Sequence, residues 1–362
     1  MKLTDREWKE FKIGDLFILD KNKRQVPTGA YVHKDNLKAG YTPRITVTSM
    51  NNGVDNYWVS VHKNYRCYQN FMSVSFLGDC FYHKYTASLD MKVHCLKLKN
   101  FELNENIALF ILSCLKNNTK NSSYGNQLSS KDLPAKSVLL PVNMQNKPDY
   151  QFMENYVKEI MHRKRQEYID YAKVKLEQNR TEQNRTEQII SLHSKKWKEF
   201  FVVDIFPSIQ RGKRLIKDKQ ISGSVPYVSS TAMNNGVDNF IQYDSSKMRK
   251  YQNCLSVANS GSVGASFYEP FEYVASDHVT HLKNDNFDKN IYLFISAMTK
   301  RWSQKYNFNR EINDLRISRE KILLPVNNND KPDYAYMEQY VNNILMQKYN
   351  DYLEYAEKSK NI

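Results

Sequence analysis

The chain has 362 residues, 41% apolar and 13% aromatic, and carries 53 Lys and Arg against 39 Asp and Glu, a net charge of +14. Such a length exceeds what one hydrophobic core usually supports, so two domains are expected, and the apolar content excludes a disordered chain. No apolar run is long enough to span a bilayer and the charged opening MKLTDREWKEF lacks a signal peptide's apolar stretch, so a cytoplasmic protein with a polyanionic partner is expected.

In chain order, Trp8-Lys9-Glu10-Phe11 and Asp15-Leu16-Phe17 open a β-rich stretch, followed by the basic loop Lys21-Asn22-Lys23-Arg24. Residues Tyr41 to Thr48 read as a strand, punctuated by the turn signal Asn51-Asn52-Gly53. A helical patch follows at Ile107–Leu115, then Leu139-Leu140-Pro141-Val142-Asn143. After Lys147-Pro148-Asp149-Tyr150 comes a stretch free of Gly and Pro. There Met153, Val157, Ile160, Tyr168 and Tyr171 form a helical stripe, interrupted by Lys164 as a register-fixing or an edge residue. The helix is expected to end in Glu177-Gln178-Asn179-Arg180-Thr181, repeated at once as Glu182 to Thr186; an all-polar end beyond any packed seam would act as a ruler of spacing.

The chain then begins again. Trp197-Lys198-Glu199-Phe200 repeats the opening, Met233 to Asn239 repeats Met50 to Asn56 residue for residue, Tyr251-Gln252-Asn253 repeats Tyr68-Gln69-Asn70, and Leu323 to Asn327 repeats Leu139 to Asn143. Met337, Val341, Ile344, Tyr352 and Tyr355 restate the stripe, with Lys348 in the place of Lys164. Ordered correspondences at offsets of 183 to 189 predict two copies of one fold. The class is α+β: β-rich domains at 1–150 and 194–334, and long helices at 151–193 and 335–362. Two like halves in one chain can meet two DNA half-sites as a dimer does.

With these motifs, and with Ser260-Gly261-Ser262-Val263-Gly264 and Tyr273-Val274-Ala275-Ser276-Asp277, nearly the whole chain resembles the DNA-specificity subunits of type I restriction–modification systems. The Lys-Pro-Asp-Tyr motif is similar to the type IIB branch. That resemblance implies two target-recognition domains held apart by two long antiparallel helices in a pseudo-two-fold arrangement. It also implies double-stranded DNA with two half-sites as ligand, and methyltransferase subunits as partners, with an endonuclease fused to them or joined separately. Catalysis, S-adenosylmethionine and Mg²⁺ would belong to those partners, leaving this chain without cofactor or metal. The first domain departs from the pattern, since Ser73-Val74-Ser75-Phe76-Leu77-Gly78-Asp79 lacks the full Ser-Gly-Ser-Val-Gly. The alternative is a two-fold symmetric protein-binding scaffold, distinguished by the absence of a steep salt dependence.

The residues themselves offer little catalytic chemistry. No Asn/Asp-Pro-Pro-aromatic tetrad is present, and Gly261 to Gly264 is too short for a dinucleotide loop; it reads as a tight turn or an amide nest. Asp149 and Asp333, just before helices, read as caps, and Asp277-His278 with His281 as polar core or edge. The cysteines Cys67, Cys80, Cys95, Cys114 and Cys254 form no CxxC pair and read as reduced thiols. A DNA-binding inventory remains. Lys21, Lys23 and Arg24, and opposite them Arg211, Lys213 and Arg214, are suited to phosphates. Base readers are sought where the copies diverge, at Lys84, Asn126, Gln127, Asn309 and Arg310, with Ser260 in the glycine-rich loop. Asn51-Asn52 and Asn234-Asn235 are the same in both copies and read as shared turn architecture.

Overall fold

The structure is a computed structural model that describes residues 1–20, 22, 24–119, 125–182, 191–307 and 309–359. The chain is a mixture of helix and sheet and divides into two units, Met1–Tyr168 and Ile169–Ile362.

In the first unit, β1 (Trp8–Lys12) leads into the single turn α1 (Ile13–Leu16). Then come β2 (Lys38–Ile45), β3 (Val54–Val59), β4 (Arg66–Tyr68), β5 (Phe71–Ser75), β6 (Cys80–His83), β7 (Ala87–Leu89) and β8 (Val93–Leu96). The unit is completed by α2 (Glu105–Thr119), β9 (Ser137–Pro141) and the start of α3 (Tyr150–Glu182). One sheet has the order β3-β2-β7-β4 and a second β6-β5-β8. The motifs that open and close the sequence repeat pair with each other: β1 runs antiparallel to β9, Trp8 opposite Pro141 and Lys12 opposite Ser137. Phe17, Met72, Val74, Leu96, Ile107, Ile111 and Leu140 form the core, and Met153 carries α3 into it. Asp149 caps α3 as the sequence predicts, its carboxylate accepting from Phe152 N at 2.9 Å.

The second unit repeats this order with two additions, β11 and α6: β10 (Trp197–Phe201), α4 (Val202–Ile205), β11 (Ser208–Arg211), β12 (Ser222–Val228), β13 (Val237–Ile241) and β14 (Lys250–Tyr251). It continues through β15 (Cys254–Ala258), β16 (Ser266–Glu269), β17 (Tyr273–Ala275), β18 (Val279–Lys283), α5 (Lys289–Thr299), α6 (Asp314–Ser318), β19 (Lys321–Pro325) and α7 (Tyr334–Lys358). Again β10 pairs with β19, Trp197 opposite Pro325, and Asp333 caps α7 by accepting from Tyr336 N at 3.1 Å.

The long helices differ from expectation in which residues are buried. Tyr168, Tyr171 and Tyr355 are exposed, whereas Ile169, Ala172, Tyr349 and Ala356 are buried. Alanine lets neighbouring backbones approach, and a tyrosine hydroxyl is better kept where water reaches it. Lys164 and Lys348 are edge residues, exposed and paired with Glu167 and Asp351. Within the second unit Tyr171 meets Tyr349, ring centroids 5.9 Å apart, and Asn342 Nδ2 donates to Asn179 Oδ1 at 2.9 Å. The first Glu-Gln-Asn-Arg-Thr unit is therefore part of a packed seam at Asn179, not slack beyond it; most of the second unit lies outside the described residues.

At matched core positions the two domains hold opposite chemistry. Ser73 Oγ lies 2.9 Å from His83 Nε2 on neighbouring strands β5 and β6. Ser256, its counterpart, donates at 2.9 Å to Glu269 on β16. His83 and Glu269 are both fully buried, and Glu269 Oε2 has no hydrogen-bond partner. Burial pushes the His83 imidazole down to about 4 and the Glu269 carboxyl up to about 7, the Ser256 hydroxyl opposing the latter. A lowered histidine contributes stability above its ordinary 6.5 that is lost as pH falls towards 4. A raised carboxyl contributes stability below its ordinary 4.5 that is lost as pH rises through 7. Acid should therefore loosen the first domain, and mild base the second, where burial of His281 adds a loss in acid as well. Glu269→Gln should raise Tm at pH 8 relative to wild type, with little change at pH 4.5. The wild-type loss it removes is roughly 3 kcal/mol, since holding a proton one pH unit beyond its ordinary range is worth about 1.4 kcal/mol. Equal effects of Glu269→Gln at both pH values would show that ionisation at this position does not set stability.

Candidate nucleic-acid interface

A glycine in each domain brings the chain onto the sheet, Gly29 N donating to the Val93 carbonyl and Gly212 N to that of Val279, so the fold matches Arg211-Gly212-Lys213-Arg214 to Thr28-Gly29-Ala30-Tyr31 and not, as the sequence suggested, to Lys21–Arg24, which lies upstream. A Cβ on Gly29 would lie 2.0 Å from the Asp90 carbonyl oxygen, and one on Gly212 would lie 2.1 Å from that of Ala275. Only glycine lets the chain run this close to the sheet. An arginine then clamps each of these matched segments, basic only in the second domain: Arg66 donates to the Thr28 carbonyl at 2.8 Å, and Arg249 to the Arg211 carbonyl at 2.7 Å. Tyr251 donates to the same Arg211 carbonyl at 2.8 Å. These clamps occupy matching places in the repeat (Arg66 before Cys67-Tyr68, Arg249 before Lys250-Tyr251), which is the signal by which sequence alone could have found them.

In the second domain three loops converge. The basic loop reaches α6, with Arg211 Nε 3.7 Å from the Asp314 carboxylate. The glycine-rich loop after β15 meets the segment after α5, where Ile312 N donates to the Asn259 carbonyl at 3.0 Å. Arg211, Ser260, Asn309 and Arg310, distant in sequence, thus belong to adjoining loops. Their side chains differ in availability. Arg211 is partly covered, its Nε near Asp314 but without a hydrogen-bond partner, Lys213 is half-buried, and Arg214 is exposed. Ser260 is buried, its hydroxyl 2.8 Å from His278 Nδ1. Asn309 is exposed in a turn closed by the Asn307 carboxamide, which accepts from Asn309 N at 3.0 Å. The Arg310 guanidinium is 5.5 Å from the centroid of the Tyr306 ring, which supports the side chain while leaving it exposed. Tyr306 is itself anchored by a hydrogen bond to the buried Glu320, which also accepts from Lys305 at 2.9 Å.

The first domain builds the same convergence from other residues. Val26 N donates to the Ser130 carbonyl and Leu128 N to the Phe76 carbonyl, each at 3.0 Å. His94 Nε2 supports the same Leu128 from the core, 3.1 Å from its carbonyl oxygen. Lys92, which lies outside the basic loops picked out by sequence, has its ammonium 4.6 Å from the Phe76 ring centroid and donates to Gln127 Oε1 at 3.1 Å. Arg24 is exposed in a turn with φ 49°, its backbone N–H donating to the Asp20 carbonyl at 2.9 Å, and Asn126 is exposed. Lys21 and Lys23 lie outside the described residues. Lys84 lines a different recess, of about 520 Å³, with Gln69, Asn70, Tyr82 and Lys97.

The glycine-rich loops differ in length but share one anchor. Gly78 and Gly264 both have positive φ, at 95° and 81°, and both lie against the last residue of the following helix. Thr119 and Thr299 donate to their carbonyls at 2.9 and 3.2 Å. Of the two readings of Gly261 to Gly264, this contact makes Gly264 part of a tight turn. His281 is buried, stacked on Tyr251 at 4.1 Å with its Nδ1 2.9 Å from the Gln210 carbonyl, so it belongs to the polar core. Among the described residues no three His, Cys, Asp or Glu gather as a metal-binding group, and all five cysteines are free thiols. No helix among the described residues is long and apolar enough to cross a membrane.

Known proteins resemble this chain along nearly its whole length. A curated relative, the type II restriction enzyme BgcI specificity subunit S.BcgI of Heyndrickxia coagulans, is 28% identical over 347 residues, covering 92% of this chain and 94% of the relative. Among solved structures, the type I restriction–modification S subunit from M. genitalium aligns over 99% of this chain and 94% of its own, with 14% identity and a TM-score of 0.43. The HsdS subunit from Thermoanaerobacter tengcongensis aligns over 96% and 91%, with 9% identity and a TM-score of 0.32. The family model described as the type I restriction modification DNA specificity domain matches twice, at residues 5–169 and again at 194–355, and the chain belongs to that family.

Proposed function

We propose that this chain reads a bipartite double-stranded DNA site, one half-site per β-rich domain, and docks methyltransferase subunits, with an endonuclease fused to them or joined separately. Methyl transfer and cleavage, together with S-adenosylmethionine and Mg²⁺, belong to those partners; this chain supplies the address. One observation carries the reading. The same three-loop convergence is built twice, alike where glycine and arginine hold the loops and different where side chains face outward. A reader of two unlike half-sites needs that division of labour. The contacts of Tyr171 with Tyr349 and Asn179 with Asn342 run in opposite senses along α3 and α7. They support antiparallel helices as the spacer between domains at 1–150 and 194–334, in a pseudo-two-fold arrangement. Half-sites about one helical turn apart, on the order of 10 base pairs centre to centre, suit such an arrangement.

Exchanging residues 194–334 for the corresponding domain of a relative should change one half-site and leave the other and the gap unchanged, as mapped by sequencing methylated DNA from cells with the full system. A change in both half-sites would refute independent reading.

Phosphate and base contacts should separate. Lys213→Ala with Arg214→Ala should weaken binding to every sequence and reduce the salt slope by about one unit per lost contact. Arg211 is the poorer choice, since its side chain is partly covered. Arg310→Ala should cost roughly 1–3 kcal/mol and relax one position of the second half-site. Uniform loss across sequences in the Arg310 variant would reassign it to a phosphate.

A further inference from the structure

The first domain keeps a recess where the second has a side chain. In the second domain the Tyr292 ring fills the space between β16, the end of β18 and the start of α5. It stacks on Tyr268 at 5.3 Å and meets Phe287 at 5.7 Å. Its hydroxyl accepts from Asn284 N at 3.0 Å and donates to the Asn284 carbonyl at 2.8 Å. Tyr292 follows Ile291 in α5 as Ala108 follows Ile107 in α2, so the first domain has a methyl group in place of a phenol. The counterparts of Tyr292's three neighbours, Tyr82, Leu98 and Leu103, all line the recess of about 520 Å³ that Lys84 also lines.

Other differences between the copies converge on the same spot. From Lys97 to the cap of α2, Asn104, the chain is two residues longer than from Lys283 to the cap of α5, Asp288, and Phe101 and Glu102 of that longer connection line the recess. Lys84 stands where the second domain has Pro270. Lys97 matches Lys283, which is paired with Asp285 at 3.0 Å. The first domain has Lys99 in the place of that aspartate, its ammonium turned to the Gly14 carbonyl at 2.6 Å. Among the described residues neither Lys84 nor Lys97 has an ion-pair partner, although Lys97 is half-buried. A half-buried ammonium without a counter-ion is costly, and an anion that reaches it gains more than one bound at an open surface.

The lining selects a class of ligand. Two ammonium groups suit a phosphate. Glu102, exposed, is an acceptor that would repel a bare phosphate and suits the hydroxyls of a ribose. Phe101 is 44% exposed, backed by Tyr150 with ring centroids 4.6 Å apart, and offers an aromatic face to a base. The volume falls within the roughly 300 to 1,000 Å³ of small-molecule sites. The candidate DNA interface lies at the other end of the sheet. β5 starts beside Asn70, which lines the recess, and ends beside Phe76, against which Lys92 packs; β8 runs the opposite way, from the Lys92 end to Lys97. The five residues of β5 put about 16 Å between the two ends. We infer that this recess of the first domain binds a nucleotide, with its phosphate on Lys84 and Lys97, its ribose at Glu102 and its base against Phe101. The inference is independent of how DNA is read, and it gives the chain a small-molecule site whose place in the second domain Tyr292 occupies.

The test titrates nucleoside mono- and triphosphates into the purified full chain by isothermal titration calorimetry, with inorganic phosphate as the probe that lacks ribose and base. A nucleotide should bind at one per chain with a Kd below about 1 mM. Lys97→Glu should weaken it roughly tenfold or more, through the lost charge-assisted contact. Phe101→Ala should weaken it roughly fivefold or more, through the lost stacking. Lys283→Glu, the matched change in the other domain, should leave it unchanged. Lys97→Glu and Phe101→Ala should keep the wild-type far-ultraviolet circular dichroism spectrum and DNA affinity, and Phe101 is exposed, so its variant reads the site even if Lys97→Glu lowers stability. Absence of binding by every nucleotide, binding untouched by Lys97→Glu and Phe101→Ala in folded protein, or equal loss in Lys283→Glu would overturn the inference. Inorganic phosphate binding as tightly as the best nucleotide would overturn it too, leaving a phosphate site only. So would displacement of the nucleotide by non-specific duplex DNA, which would make the recess a DNA contact.

Discussion

Each domain depends on the antiparallel ribbon in which its first strand meets its last, Trp8 against Pro141 and Trp197 against Pro325. Five paired positions join sequence motifs far apart in the chain, and the rest of the domain is looped out between them. The ribbon is backed from the core by helix, with Trp8 stacked on Phe110 at 5.9 Å and Trp197 on Phe294 at 6.2 Å. Because the long helix follows within ten residues of the closing strand and puts Met153 or Met337 into the same core, helix and domain share one packed junction. The loop carrying Arg310 is anchored in that core at both ends, by Tyr306 and Ile312, so its exposed tip at Asn309 and Arg310 can vary while the anchors hold.

The repeated elements of the fold were largely legible in the sequence because duplication doubles every signal. The Asn-Asn-Gly turn, the capping aspartates and the patches around Ile107 and Ile291 each appear twice, so a weak local pattern gains a second instance. Legibility failed where burial is decided by a neighbour distant in sequence. The tyrosine stripe has helical spacing, yet Ala172 and Ala356 are buried and Tyr171 and Tyr355 exposed, because shape at a helix crossing outweighs hydrophobicity of type. At the candidate interface, charge and divergence pointed to Arg214 and Arg310, both exposed. They gave no hint that Ser260 is turned inward onto His278 or that Lys92, from an unrelated loop, reaches Gln127. Those are three-dimensional meetings with no period or motif to announce them.

The two domains also show how much a shared backbone leaves undecided. Arg44 in the first is almost fully buried and bonded at 2.7 Å to Asp90. At the same place in the second domain Tyr227, with no ion pair, is pushed up to about 12, chiefly by burial. A buried ion pair is costly to desolvate and adds little net stability over an apolar or neutral filling, so either solution holds the strand. His83 and Glu269 make the same point in hydrogen-bonding terms. The fold constrains volume and the serine partner, and leaves the titrating group free to drift.

The closing ribbon also has a consequence for how the chain is made. Lys12 pairs with Ser137, so the first strand of the domain has no partner until about 125 further residues have been synthesised. At roughly 5–20 residues per second that wait lasts on the order of ten seconds. An unpaired strand emerging from a ribosome is a template for sticking to its neighbours. Lys9, Glu10 and Lys12 give it charged, outward-facing positions that discourage such contacts. The second domain repeats the interval from Phe201 to Lys321, so nascent chains of this protein pass twice through a state in which everything but the clasp is present.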